Sequence, residues 1–373
     1  MIERILKEKI SLNLFKGKTI VIIGARQVGK TTMIKELLKG KEFLFLDGDD
    51  PMVKQRLSNP NTKEIDSILG NSKLVFIDEA QRIENIGITA KIIHDQFKKV
   101  QLIMSGSSAF ELRNQTSESL TGRKLEYYLF PVSFEEYEKS LGYLEAAKDL
   151  ENRLIYGFYP DVINRRGEER ETLNELTQSY LFKDILSFAN IKKSEVLEKI
   201  LKALAFQVGS EVSYNELAQL TGVDKNTVSN YIHLLKLSQI IYPLTSFSRN
   251  LRNEIKTNQK IYFYDNGIRN ALIQNFNPIA LRNDIGALWE NFLLSERLKR
   301  NHYHFKYSNK YFWRTKQQQE IDYVEETDGK ILGFEFKWNS KAKSKIPSLF
   351  IKTYDATVEV ITKDNFRNFI GLE

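Results

Sequence analysis

With 373 residues the chain exceeds what one simple core accommodates, and two or three domains are expected. A hydrophobic content of 42% with 28% charged residues excludes wholesale disorder, and the absence of cysteine excludes disulfides, thiol catalysis and cysteine-ligated zinc. The net charge of +7 is unevenly spread: residues 1–239 carry 34 Lys and Arg against 33 Asp and Glu, whereas residues 240–345 carry 18 against 11, an excess that suits nucleic acid and a solvated surface equally.

Met1–Leu14 sets Ile2, Ile5, Leu6, Ile10 and Leu14 at helical spacing, so a helix packed outside a sheet is expected. The stretch lacks the apolar core of a signal peptide, and no apolar run approaches the roughly 20 residues of a spanning helix, so a cytoplasmic protein without membrane contact is expected. Thr19–Ile23 has the composition of a buried strand and passes into Gly24-Ala25-Arg26-Gln27-Val28-Gly29-Lys30-Thr31-Thr32. Gly24, Gly29, Lys30 and Thr31 fill G-x-x-x-x-G-K-[ST], the P-loop template for a nucleoside triphosphate. The glycines let successive N–H groups face inward, and the helix that follows, Thr32–Leu38, adds the partial positive charge of its N-terminus toward phosphate oxygens. Lys30 is expected to reach the β- and γ-phosphates of ATP, and the Thr31 hydroxyl to ligate Mg²⁺.

Lys41–Leu46 reads as a second strand, with Asp47 capping the loop or helix beyond it. Lys73–Gln81 carries four apolar residues ending in Asp78-Glu79, a Walker B pattern. Asp78 is expected to hold the Mg²⁺ hydration shell and Glu79 to polarise the attacking water as general base. Val100–Met104 supplies a further strand, and Ser105-Gly106-Ser107-Ser108 behind it is either a turn or a γ-phosphate sensor carried by Ser107. Arg123 precedes a fifth strand at Leu125–Phe130. It is either a finger for a neighbouring subunit's nucleotide, which implies a homo-oligomer, or half of a surface salt bridge. Strand–helix alternation points to a mostly parallel sheet with its ligand at the carboxyl ends of the strands.

Gly24–Thr32, Phe76–Gln81, Ser105–Ser108 and Leu120–Arg123 together resemble the prokaryotic AAA-type ATPases that carry a C-terminal domain of unknown function related to PD-(D/E)XK nucleases. The resemblance covers nearly the whole chain. It implies an α/β fold with the parallel sheet of an AAA+ P-loop NTPase, followed by a helical and winged-helix region and an α/β restriction-endonuclease-like domain. The corresponding boundaries are residues 1–140, 141–264 and 265–373.

In the middle part, Phe134–Leu141, Leu144–Ile155, Thr172–Phe188 and Ser194–Val208 are helical by periodicity. Ser213–Leu237 reads as a helix-turn-helix: Ser213 and Glu216 form a capping box, Leu217 and Leu220 face inward, Gly222 turns the chain, and Asp224 caps a second helix that buries Val228, Ile232 and Leu235. Ile240–Leu244 and Ile261–Tyr264 are expected as the strands of a wing. Lys225, Asn226, Ser229, Asn230 and His233 remain exposed, types that contact phosphates and base edges but also serve packing and protein contact.

In the last part, Gly286–Glu296 is an amphipathic helix, and strands are expected at Tyr303–Tyr307, Tyr311–Arg314, Glu320–Val324 and Ile331–Lys337. Alternation puts Glu335 and Lys337 on one strand face, with Asp322 on the adjacent strand. Glu290, Asp322, Glu335 and Lys337 resemble the PD-(D/E)XK core, with Ile321 where that motif carries proline. The four histidines lack metal-ligand spacing. Two functions are compatible with the chain: a Mg²⁺-dependent ATPase coupling turnover to DNA binding or processing, and a nucleotide-regulated switch for a protein partner with an inactive nuclease-like domain.

Overall fold

In the computed structural model, which describes residues 2–107, 112, 116, 118–181, 194–248, 259–341 and 345–372, α1 (Ile5–Ser11) precedes β1 (Thr19–Ile23) and α2 (Lys30–Leu37). β2 (Leu44–Asp47), α3 (Pro51–Leu57), α4 (Thr62–Leu69), β3 (Leu74–Asp78), α5 (Ile86–Gln96), β4 (Gln101–Gly106) and β5 (Lys124–Tyr128) follow. The strands lie in the order β2-β3-β4-β1-β5, all parallel. β1, β3 and β4 are buried at every residue, as their unbroken apolar runs require of strands covered on both faces, while β2 and β5 alternate or stay half-buried as edges do. Val21, Ile23, Val75, Ile77, Leu102 and Met104 pack with Ile86, Ala90 and Ile93 of α5 into one core. Register pairs Ile23 with Gly106 and Asp47 with Asp78, so the loops leaving β1, β2, β3 and β4 emerge along one sheet edge.

Compactness divides the chain into Met1–Val132 with Leu237–Gln239, and Ser133–Lys236 with Ile240–Glu373. The second unit opens with α6 (Phe134–Leu141), α7 (Tyr143–Tyr156), α8 (Pro160–Asn164) and α9 (Glu169–Glu175), and continues through α10 (Ser194–Phe206), β6 (Glu211–Val212), α11 (Tyr214–Thr221), α12 (Lys225–Leu237), β7 (Ile241–Ser246) and β8 (Gln259–Phe263). α13 (Asn266–Leu272), α14 (Ile285–Tyr303), β9 (Asn309–Arg314), β10 (Glu320–Thr327), β11 (Lys330–Phe336), α15 (Ser348–Tyr354), β12 (Thr357–Ile361) and α16 (Phe366–Ile370) complete it. Its sheet has the order β12-β11-β10-β9-β7-β8-β6. β9, β10 and β11 form an antiparallel meander, β12 joins β11 in parallel, and β7 pairs in parallel with β9 through Thr245↔Tyr311 and Ser246↔Phe312. One sheet therefore takes strands from both sides of the expected division at residue 264.

Several local expectations change. Tyr303–Tyr307 is not a strand: α14 continues to the fully buried Tyr303, and the aromatic alternation beyond it is carried by Phe305, at φ 51° and 45% exposed, and Tyr307, 82% exposed. Leu217 is buried, but Leu220 is 61% exposed; Thr221, a full turn on from Leu217, takes the inner position and donates its hydroxyl to the Leu217 carbonyl. Ser213 accepts from the Glu216 N–H at 3.3 Å, whereas the Glu216 carboxylate takes the Gln207 amide instead of closing the box. The expected helix Thr172–Phe188 is α9 plus a wider π turn over Leu176–Leu181, and its last residues lie outside the described residues, as does Ser108.

Candidate functional site

The first site lies where β1, β3 and β4 end. Gly24 follows β1 so closely that an added Cβ would sit 2.3 Å from the Leu129 carbonyl oxygen, and Gly29, at φ 92°, begins α2 in a conformation that glycine adopts at no steric cost. The Lys30 side chain is buried and curls back, its Nζ donating to the carbonyls of Gly24 at 2.9 Å and Ala25 at 3.0 Å. Thr31 Oγ1 donates to Asp78 Oδ2 at 2.5 Å, bringing together two oxygens 47 residues apart in sequence. Ser105 Oγ donates to the other oxygen of the same carboxylate. Glu79, one residue on, sits in the left-handed region at φ 45°, and its N–H donates to Asp78 Oδ1 at 3.1 Å. There it accepts from the Gln81 amide at 2.5 Å and from Ser107 Oγ at 3.1 Å, and Gln81 also donates to Ser107 at 3.0 Å.

Arg123 stands at the opposite sheet edge. Its carbonyl accepts from the N–H of Thr19, the first residue of β1, so five strand residues, about 16 Å, separate it from the P-loop of its own chain. Its guanidinium donates to Asp95 at 2.9 Å, and with His94 alongside it holds that carboxyl down at about 2.

A second group of charges lies on the sheet of the second unit. Glu290 of α14 accepts from the Tyr262 hydroxyl at 2.5 Å and lies 3.4 Å from the Lys260 ammonium, both residues of β8. Lys260 also pairs with Glu320 at the start of β10. Asp322 accepts from the Phe336 N–H at 2.8 Å, and Glu335 pairs with Lys337 at 3.1 Å. Burial pushes Glu290 up to about 7, against the pull of Lys260, and burial with the nearby Asp322 charge does the same to Glu335. Burial opposes the charge of Lys260, but Glu290, Glu320 and Asp322 outweigh it and hold the ammonium above the usual lysine range. The four residues expected from the sequence thus share one patch, and Lys260, Tyr262 and Glu320 complete it.

Residues 16–138 match the family model of the AAA domain. The first unit is a P-loop ATPase domain of the AAA type. Beyond it, residues 147–278 and 285–368 match two domains of unknown function, DUF8612 and DUF4143. The chain is 27% identical to an uncharacterized protein of Mycobacterium tuberculosis over 331 residues, 88% of this chain and 72% of that one, and 23% identical to an uncharacterized protein of Methanocaldococcus jannaschii over 393 residues, covering 97% and 83%. Among solved structures it is similar to a Walker-type ATPase of Pyrococcus abyssi, with 15% identity, a TM-score of 0.48 and coverage of 72% and 94%.

Two side chains of the ATPase domain have no local motif. Arg4, before α1, is buried and donates to the carbonyls of Val28, inside the P-loop, at 2.7 Å and of Phe130, beyond β5, at 2.6 Å. Ser105 lies in a run of small polar residues whose sequence does not say which hydroxyl turns inward. Lys260 and Tyr262 left a better signal: two residues apart in a strand, they necessarily share a face. Among the described residues, no helix is long and apolar enough to cross a membrane.

Proposed function

We propose that the chain binds and hydrolyses ATP with Mg²⁺ and couples turnover to DNA engaged by its second unit. The observation that carries the ATPase reading is the 2.5 Å contact of the Thr31 hydroxyl with Asp78, with Lys30 at the mouth of the same loop. This donor set fits Mg²⁺, which takes one or two protein oxygens and fills its octahedron with water and phosphate. Thr31 and Asp78 would hold the ion, whose charge would offset that of the phosphates. Gly24–Thr32 cradles the phosphates with its N–H groups, and Lys30 exchanges the carbonyls of Gly24 and Ala25 for phosphate oxygens. Glu79 takes the proton of the attacking water, and Ser107, already on the Glu79 carboxylate, orients that base. Arg123 serves a neighbouring copy's nucleotide in a homo-oligomer, since its own lies at the far edge of the sheet.

The DNA reading rests on α12, where Lys225, Asn226, Ser229, Asn230 and His233 are all exposed beside buried Val228, Ile232 and Leu235, and on the basic excess of residues 240–345 that follow it. The pair α11–α12 with β6, β7 and β8 has the element order of a winged helix, and α14-β9-β10-β11-α15-β12, bearing Asp322, Glu335 and Lys337, has that of a nuclease-like core. A second reading, a nucleotide-regulated switch for a protein partner, is favoured by the ion pairs of Lys260 within the acidic patch.

The deciding experiment is the ATPase rate with and without DNA, across protein concentrations and salt. Stimulation by DNA that declines steeply with salt supports the first reading. A rate indifferent to DNA that rises per subunit with concentration, and no longer does so in Arg123→Ala, supports the switch and the oligomer.

A further inference from the structure

A divalent cation in the acidic patch would need one or two carboxylates with oxygens left open to it, water completing its shell. The patch contains a different cation. Lys260 enters from β8, outside the α14–β12 segment that supplies the carboxylates, and its side chain is 2% exposed. Its ammonium reaches Glu290 Oε1 at 3.4 Å and pairs with Glu320 Oε1, while the Phe312 ring lies 5.3 Å from it. Tyr262 donates to the same Glu290 oxygen, the Phe336 N–H occupies Asp322, and Lys337 occupies Glu335.

We propose that Lys260 is the resident cation of this patch, standing where a divalent ion would link Glu290 to the strand carboxylates, so that the second unit carries no catalytic metal and cleaves no phosphodiester. The physical reason is exclusion. The buried ammonium already brings a positive charge to Glu290 and Glu320, and a divalent ion entering beside it would meet like charge. The proposal rests on reading α14–β12 as a nuclease-like core. On that reading β8 is an addition to the core, and its lysine makes the acidic patch a structural ion-pair site.

The test is titration of the nucleotide-free, full-length protein with Mn²⁺, read by electron paramagnetic resonance, on wild type, Asp322→Asn, Lys260→Met and Lys260→Met with Asp322→Asn. Wild type and Asp322→Asn are expected to give superimposable curves. Lys260→Met is expected to gain one bound Mn²⁺, lost again in the double variant. Wild-type Mn²⁺ binding that Asp322→Asn removes, or Mn²⁺-dependent nicking of plasmid DNA that it removes, overturns the proposal while upholding the nuclease-like reading. A Lys260→Met protein with wild-type circular dichroism that gains no Mn²⁺ overturns both. If Lys260→Met does not fold, the wild-type and Asp322→Asn curves decide: coincidence supports the resident lysine, and divergence overturns it.

Discussion

The two acidic sites described above are built from the same material and satisfied in different ways. In the ATPase domain Asp78 receives hydroxyls from Thr31 and Ser105, and Glu79 receives an amide from Gln81 and a hydroxyl from Ser107; these donors are neutral and leave the negative charge standing. In the second unit Glu290 and Glu320 receive the ammonium of Lys260 and Glu335 that of Lys337, which offset part of the charge, while Asp322 receives the neutral Phe336 N–H. The lesson concerns what a hydrogen bond leaves behind. A carboxylate held by neutral dipoles is fixed in place yet still attracts a cation, whereas one held by a buried ammonium is fixed and spent.

That contrast is broken or sharpened by substitution. The largest effect is expected from Glu79→Gln, which keeps the shape but removes the base: turnover falls by about 10²–10⁴-fold while ATP affinity, measured with a non-hydrolysable analogue, stays within about threefold. Turnover near wild type would remove Glu79 from the role of base. Lys30→Ala comes next, with nucleotide affinity by calorimetry weakened roughly 100-fold, as expected for losing a charge-assisted contact. The parallel change in the other site, Lys337→Ala, is expected to leave that affinity untouched.

Arg4→Ala tests how the P-loop is held. It strands the carbonyls of Val28 and Phe130 away from water, so stability to urea is expected to fall by about 1–3 kcal/mol, and the apparent KM for ATP to rise more than kcat falls. An unchanged KM would limit Arg4 to stability alone. The smallest effect concerns pH. Glu290 and Glu335 keep their protons in the folded chain up to about 7, whereas carboxyls in the unfolded chain lose theirs near 4.5. Between those values the folded state binds more protons, so its stability falls as pH rises, and Glu335→Gln is expected to flatten the melting temperature across that window. A slope unaltered by the substitution would mean that Glu335 ionises normally.

How much of this was legible in the sequence differs between the two sites for a physical reason. The P-loop and the Asp78-Glu79 strand end are local: each depends on a few adjacent residues whose backbone geometry their own types dictate, so β1, β3 and the start of α2 emerge close to where the residues put them. Arg4 and Ser105 act across distance, through contacts that only the finished sheet creates. The second patch was legible as Glu290, Asp322, Glu335 and Lys337. What reverses its chemical meaning is Lys260, 30 residues before the first of these and on a strand that the sequence assigned to a wing. The same tertiary effect hid the β7–β9 pairing, because parallel partners far apart in the chain leave no turn signal between them.

That pairing has a mechanical consequence. Because Thr245 and Ser246 of β7 hydrogen-bond alongside Tyr311 and Phe312 of β9, the strands next to α11 and α12 and those bearing Asp322 and Glu335 belong to a single plate. The helix pair is tied to that plate by side chains: Lys236 of α12 donates to Gln259 of β8 at 3.2 Å, and the Gln259 amide donates to the Tyr214 hydroxyl of α11, so helix pair and acidic patch share one support.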